Sequence, residues 1–227
     1  TSSLDANTTG SNNTAVGLNS LGGNTTGTEN VSIGKDSLKD NTTGAGNVAI
    51  GQEALSNNLT ASDNVAVGKL ALFTNTTGGN NTGLGYQALR LNSTGANNTG
   101  LGYYALKANT TGTNNTAVGA SAMYEGVTTG SYNTMVGVSS GRKMTSGASN
   151  SGLGVNALEG NTTGANNTGI GMSALAANTT GENNVALGRL ALRANTTGDN
   201  NVSLGEGSLY SNTTADNNTA VGKDALS

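Results

Sequence analysis

The sequence predicts an all-β fold, a parallel β-solenoid of 17-residue coils. Three observations carry this expectation. The first is a closing glycine that recurs as Gly17, Gly34, Gly51, Gly68, Gly85, Gly102, Gly119, Gly137, Gly154, Gly171, Gly188, Gly205 and Gly222. Neighbours in that row are 17 residues apart, except for 18 between Gly119 and Gly137. A fixed short period means stacked supersecondary units rather than one globular core. The second is the abundance of Asn, Thr and Gly, which are poor helix formers, together with the lack of an apolar stripe of period 3.6. The third is charge placement. The 10 basic and 13 acidic residues recur at only a few places in the unit, so the same sides face water in every copy.

Numbered from Asn7, the unit reads N-T-T-G-x-N-N-(T/V)-(A/G/S)-(V/I/L)-G-x-x-(A/S)-L-x-x. Thirteen copies fill residues 1–227 as a single array, with one extra residue near Gly126. Position one is Asn in most copies, with Val127 and Met144 breaking the row. The glycine at four marks a turn that needs positive φ or a close approach. Position seven is Asn in every copy: Asn13, Asn30, Asn47, Asn64, Asn81, Asn98, Asn115, Asn133, Asn150, Asn167, Asn184, Asn201 and Asn218. A solvated surface does not demand a neutral amide so strictly. Stacked amides do, because each can donate to a carbonyl of the next coil.

Positions eight to ten read as a short strand. Eight is Thr or Val, once Ser151; nine is small apart from Met135; ten is always Val, Ile or Leu. Eight and ten share one face, and nine points to the other. Position fifteen is Leu except at Met123 and Gly141, so x-x-A-L forms a second segment that buries Leu. The expected interior of a coil is one aliphatic from the strand and one Leu. That is thin for 17 ordered residues. The small position nine suggests close approach by another element, so several chains are expected to pack around a shared axis. Thirteen coils at ~4.8 Å per rung predict a rod on the order of 60 Å long.

Composition excludes several classes. The chain has no Cys, His, Pro or Trp. A Ser-His-Asp triad, a cysteine nucleophile and a His or Cys metal site are therefore ruled out. The acidic residues stand singly on corners, and no aspartate recurs with the period of a calcium roll. The expectation is a protein that is not an enzyme and carries no cofactor. A formal charge of −3 with scattered basic residues gives no footprint for nucleic acid. No apolar run reaches the ~18 residues of a membrane span. The chain starts and stops inside a unit and lacks a signal peptide, which reads as a segment of a longer fibre.

Candidate contact residues are the exceptions to the pattern. Tyr86 and Tyr103 share position twelve on successive coils, with Tyr104 beside them. Tyr132, Arg142 and Lys143 lie in the irregular stretch between Met123 and Met144. Exposed aromatics can stack on sugar rings or protein partners, or cover apolar surface between chains. The N-T-T triplets match the N-glycosylation acceptor, as at Asn7, Asn24 and Asn41, and match turn chemistry equally well. A flat Thr array would suggest ice binding. The Thr pair at two and three is adjacent, however, and points to opposite sides.

The segment Asn115-Thr-Ala-Val-Gly-Ala-Ser-Ala122 resembles the head repeat of trimeric autotransporter adhesins of the YadA type. The longer form N-T-T-G-x-N-N-T-A-V-G-Y-x-A-L resembles repeats of phage tail fibres and bacterial surface fibres. The resemblance runs over essentially the whole chain. It implies a left-handed β-roll, three chains together, an extracellular location on a cell surface or virion, and attachment rather than catalysis. The unit is three residues longer than the usual autotransporter coil, which puts its corner geometry in doubt. The expected function is the shaft or head of an extracellular fibre. Its expected partners are further copies of itself, as a homotrimer or a growing filament, and a host-surface glycan or protein. The rival readings are a purely structural, glycan-decorated filament and, further off, an ice-binding solenoid.

Overall fold

The computed structural model describes residues 3–227. The chain divides into two compact units, the first ending at Thr113 and the second beginning at Asn114. Each is a parallel β-solenoid of 17-residue coils. The first unit carries β1 (Thr14–Val16), β2 (Val31–Ile33), β3 (Val48–Ile50), β4 (Val65–Val67), β5 (Thr82–Leu84) and β6 (Thr99–Leu101). The second carries β7 (Thr116–Val118), β8 (Thr134–Val136), β9 (Ser151–Leu153), β10 (Thr168–Ile170), β11 (Val185–Leu187), β12 (Val202–Leu204) and β13 (Thr219–Val221). No helix forms among the described residues.

Within each unit the strands pair in chain order, parallel and in register. Thr14 stands opposite Val31, and Val16 opposite Ile33. In the second unit the pair Thr116–Thr134 spans the longer interval, so the ladder keeps register across the extra residue. The rest of the coil is laddered too. Leu21 N donates to Ser37 O at 3.0 Å, Gly23 N to Lys39 O at 2.8 Å, and Thr25 N to Thr42 O at 2.9 Å. Backbone donors outside the strands are thereby satisfied by the neighbouring coil, as a buried backbone requires.

Each coil closes through residues of positive φ. Positions six, thirteen and fifteen are left-handed: Asn80 at 58°, Gln87 at 56° and Leu89 at 53° in one coil. Position eleven lies where side chains are rarely tolerated, with Gly85 at 130°. A Cβ on Gly85 would also stand 2.5 Å from Gly102 O. The glycine at four has a different cause. Its φ is not positive, but a Cβ on Gly27 would stand 2.3 Å from Gly44 O, so close approach alone explains it.

The strand faces correct the expected interior. Position nine is the buried one: Ala49, Ala66, Ala117, Met135 and Ala186 are sealed from solvent. Position ten points outward, with Val16 58% and Leu84 47% exposed. The core therefore holds one large side chain per coil, the position-fifteen leucine, packed on the small residue at nine. A Cβ on Gly83 would lie 3.3 Å from Leu72 Cγ. The approach that keeps position nine small comes from the chain's own leucine row, not from another chain.

The irregular coil shows the same rule inverted. Gly141 takes the leucine position, and Met135 takes the small one. A Cβ on Gly141 would meet Met135 Cγ at 2.8 Å, so the Met135 side chain lies where that of position fifteen would start. Gly152, the next residue in the small row, makes room for Met135 Sδ, which a Cβ there would approach to 2.6 Å. Serines pair by the same logic. Ser32 at nine meets Ser37 at fourteen with hydroxyls 2.6 Å apart, and Ser203 meets Ser208. The extra residue also lies differently from the sequence reading. Val127 does not stand in for the buried Asn of position one but is 57% exposed. Thr128 is buried instead, its hydroxyl 3.3 Å from the carbonyls of Gly126 and Met144.

Candidate functional site

Two rows of asparagine run through each unit. At position seven, Asn47 Oδ1 accepts from the backbone N of Asn64 at 3.0 Å and from its Nδ2 at 3.2 Å. Asn47 Nδ2 donates to Asn30 Oδ1 at 3.1 Å and to Ala61 O at 2.9 Å. The second unit repeats this from Asn115 to Asn133 and on to Asn150 and Asn184. Position one forms a further row that the sequence reading left without a role. Asn41 Nδ2 donates to Asn24 Oδ1 at 2.8 Å and to Gly44 O at 3.0 Å. Asn109, the last of that row in the first unit, has a buried Oδ1 with no partner, and position one of the next copy in sequence is Val127. Apart from that oxygen and the row ends, these amides are spent on interior hydrogen bonds from coil to coil.

The outward strand face has the chemistry of an interaction surface. In the first unit Val16, Ile33, Ile50 and Leu84 are exposed at position ten, with Val67 and Leu101 half-buried; position twelve adds Leu18, Tyr86 and Tyr103 but also carries Lys35, Gln52 and Lys69. In the second unit Leu153, Ile170, Leu187 and Val221 continue position ten, with Val138, Val155 and Met172 at twelve. Scattered exposed aliphatics are ordinary, whereas here an aliphatic residue recurs at position ten of every coil and is exposed in most. The strictness of position ten was legible in the sequence. Its direction was not, because alternation alone does not say which face is inside.

Of the six candidate contact residues, the structure draws three together. The rings of Tyr86 and Tyr103 are stacked, with centroids 5.5 Å apart at 16°. Tyr104 tilts against Tyr103 at 4.0 Å, and Lys107 Nζ lies 4.7 Å from the Tyr104 ring centre. Gln87 Nε2 donates to the Tyr86 hydroxyl at 2.9 Å. The Tyr103 hydroxyl, foremost, holds Tyr104 above the usual tyrosine range, and burial adds to it. Tyr132 stands apart, in the turn before β8 and mostly exposed. Arg142 is clasped between carboxylates of the coils on either side, Glu125 at 2.7 Å and Glu159 at 2.8 Å. Lys143 is exposed beside it. Another corner pair, Arg189 with Glu206, holds the Glu206 carboxyl below its ordinary range through a charged hydrogen bond.

No group of three or more Asp, Glu, His or Cys side chains suited to a metal ion occurs among the described residues. No helix of the described residues is long and apolar enough to cross a membrane. Comparison of the chain with models of known protein families and with curated proteins finds no match in either.

Proposed function

We propose that this chain is a structural and adhesive segment of an extracellular fibre, in which copies of the chain pack along their exposed strand faces. The observation that carries the reading is the aliphatic row at position ten, turned to solvent in both units. A second copy is the partner whose chemistry repeats with the same period, so each rung meets an equivalent rung all along the contact. Burying the row removes apolar surface from water at roughly 25 cal/mol per Å². The resemblance to autotransporter heads and tail fibres favours three chains and a place on a cell surface or virion. Laddered coils that need no disulfide suit that setting. The Tyr86–Tyr103–Tyr104 cluster supports attachment to a host glycan or protein, repeated on each chain and strengthened by avidity.

Mass measurement in solution tests the packing. The expected mass is three times the 22.2 kDa of one chain. A well-folded monomer at micromolar concentration would sink the proposal. A glycan array then separates attachment from the rival, purely structural filament. Binding by the wild type that is lost in a Tyr86/Tyr103/Tyr104 triple-alanine variant supports attachment. No binding by either supports the filament.

A further inference from the structure

The N-x-T acceptor pattern occurs in two settings in this chain, and the fold treats them oppositely. At position one it is the N-T-T triplet, with Ser93 in the middle place after Asn92. There Asn24, Asn41, Asn75, Asn92, Asn161 and Asn178 are fully buried, with Nδ2 spent on carbonyl oxygens. At position six the pattern is N-N-T: Asn12-Asn13-Thr14, Asn80-Asn81-Thr82, Asn97-Asn98-Thr99, Asn114-Asn115-Thr116, Asn166-Asn167-Thr168 and Asn217-Asn218-Thr219. All six leading asparagines are exposed and sit in a left-handed turn, as at Asn12 (59°) and Asn166 (56°). No hydrogen bond holds the side-chain amide of Asn12, Asn80, Asn97, Asn166 or Asn217 among the described residues.

A hydroxyl at position eight follows Asn at six in six of eight copies, and follows another residue at six in two of five. Position eight alternates between Thr and Val, which have nearly the same shape, on a face that is not buried in the coil. Where position six is Glu29, Gly46 or Asp63, position eight is Val31, Val48 or Val65, while Tyr132 and Ser149 are followed by Thr134 and Ser151. Where position six is Asn, six of the eight copies carry Thr at eight, Asn183 and Asn200 being followed by Val. Turn geometry explains Asn at six, because Asn tolerates the left-handed region. It does not explain a hydroxyl two residues later.

We propose that the position-six asparagines are acceptors for N-linked sugar on the folded chain, and that the fully buried N-T-T asparagines are not. In the transfer, the side-chain amide nitrogen forms a bond to the anomeric carbon of a nucleotide-diphosphate sugar. The bond from that carbon to the diphosphate oxygen breaks, the nucleotide diphosphate leaves with the electron pair, and the amide proton passes to a base of the transferase. A sugar placed on position one before folding would have to enter the packed interior between coils, so modification compatible with this fold follows coil closure. The assignment does not depend on the chains packing together.

The test uses the purified full chain, a soluble asparagine N-glucosyltransferase and UDP-glucose, with modified sites mapped by peptide mass spectrometry. A proteolytic digest of the same chain is the second substrate. The expected result is hexose on position-six asparagines of the folded chain and none on Asn24, Asn41, Asn75 or Asn161. In the digest, both classes are modified. An Asn166→Gln variant loses one hexose while its far-UV circular dichroism is unchanged. Hexose on Asn24, Asn41, Asn75 or Asn161 of the folded chain overturns the proposal. So does failure to modify position six in the folded chain, whatever the digest shows.

Discussion

At Asn47 a single side-chain amide closes four hydrogen bonds, two accepted from Asn64 and two donated to Asn30 and Ala61. Replacing it by Ala leaves the buried N–H of Asn64 without its acceptor. The expected cost is ~2–3 kcal/mol, read as a lower denaturation midpoint. Asn47→Asp is the sharper variant, because it keeps an acceptor for Asn64 but turns a carboxylate oxygen toward Ala61 O and Asn30 Oδ1. Burial without a cation raises the folded pKa of that carboxyl. Its penalty is therefore present at neutral pH and shrinks as the pH falls through the folded pKa, and a midpoint for Asn47→Asp that does not recover on acidification would refute this account. Tyr132 gives the opposite sign. It is a bulky, 66% exposed side chain held at φ 62°, a place that eight other copies fill with Asn and one with Gly46. Tyr132→Gly removes the steric cost of the left-handed turn and is expected to raise stability by ~1 kcal/mol. A lower midpoint would show instead that the ring packs on something.

At the scale of the coil, stability rests on matching position nine to position fifteen. Leucine at fifteen accepts a left-handed backbone, at a cost of ~1–2 kcal/mol, because its complete burial returns more. Met135 and Gly141 exchange these roles, which yields a double-mutant test. Met135→Ala alone opens a cavity and is expected to cost ~2–5 kcal/mol. Gly141→Leu alone forces a Cβ against Met135, whose Cγ would be 2.8 Å away. Together the two changes restore the arrangement of every neighbouring coil, so the double variant is expected to unfold at a higher midpoint than either single variant. Additive losses would show that the exchange is not compensation. The coil was legible in the sequence as far as period, strand and register, because each is a repetition that needs no third dimension. Its interior was misread for a physical reason. Position ten is large and aliphatic in every copy, the usual marks of a core residue, yet the leucine row on the other side of position nine leaves no room for it inside.

At the scale of the whole molecule, that misreading becomes the strongest pointer to function. A chain that spends its strand aliphatics on the outside gains from them only when another surface covers them. The sequence reading reached association through a thin core and a small position nine. The thin core stands, since one leucine or methionine fills most coils, but the small row serves that side chain, and the apolar rank on the outside is position ten. The tyrosine cluster was half legible. The shared position of Tyr86 and Tyr103 put them on neighbouring rungs, while the tilt of Tyr104 and the placement of Lys107 depend on left-handed backbone at position thirteen, for which Asn, Gln, Leu and Ser serve equally. Charge on the strip provides the decisive experiment. Ile50→Lys with Leu84→Lys in the first unit, or Ile170→Lys with Leu187→Lys in the second, places ammonium groups on a face already in water. A single coil stack tolerates them at little cost, because no interior contact is lost. An assembly that buries the strip does not, since each buried ammonium would lack a partner. Unchanged circular dichroism with a fall from the trimer mass to the 22.2 kDa of one chain is the expected outcome. A variant that keeps the assembled mass would move the contact to another face of the coil. Position sixteen, where Phe73, Tyr124 and Tyr210 lie, would then be the next rank to charge.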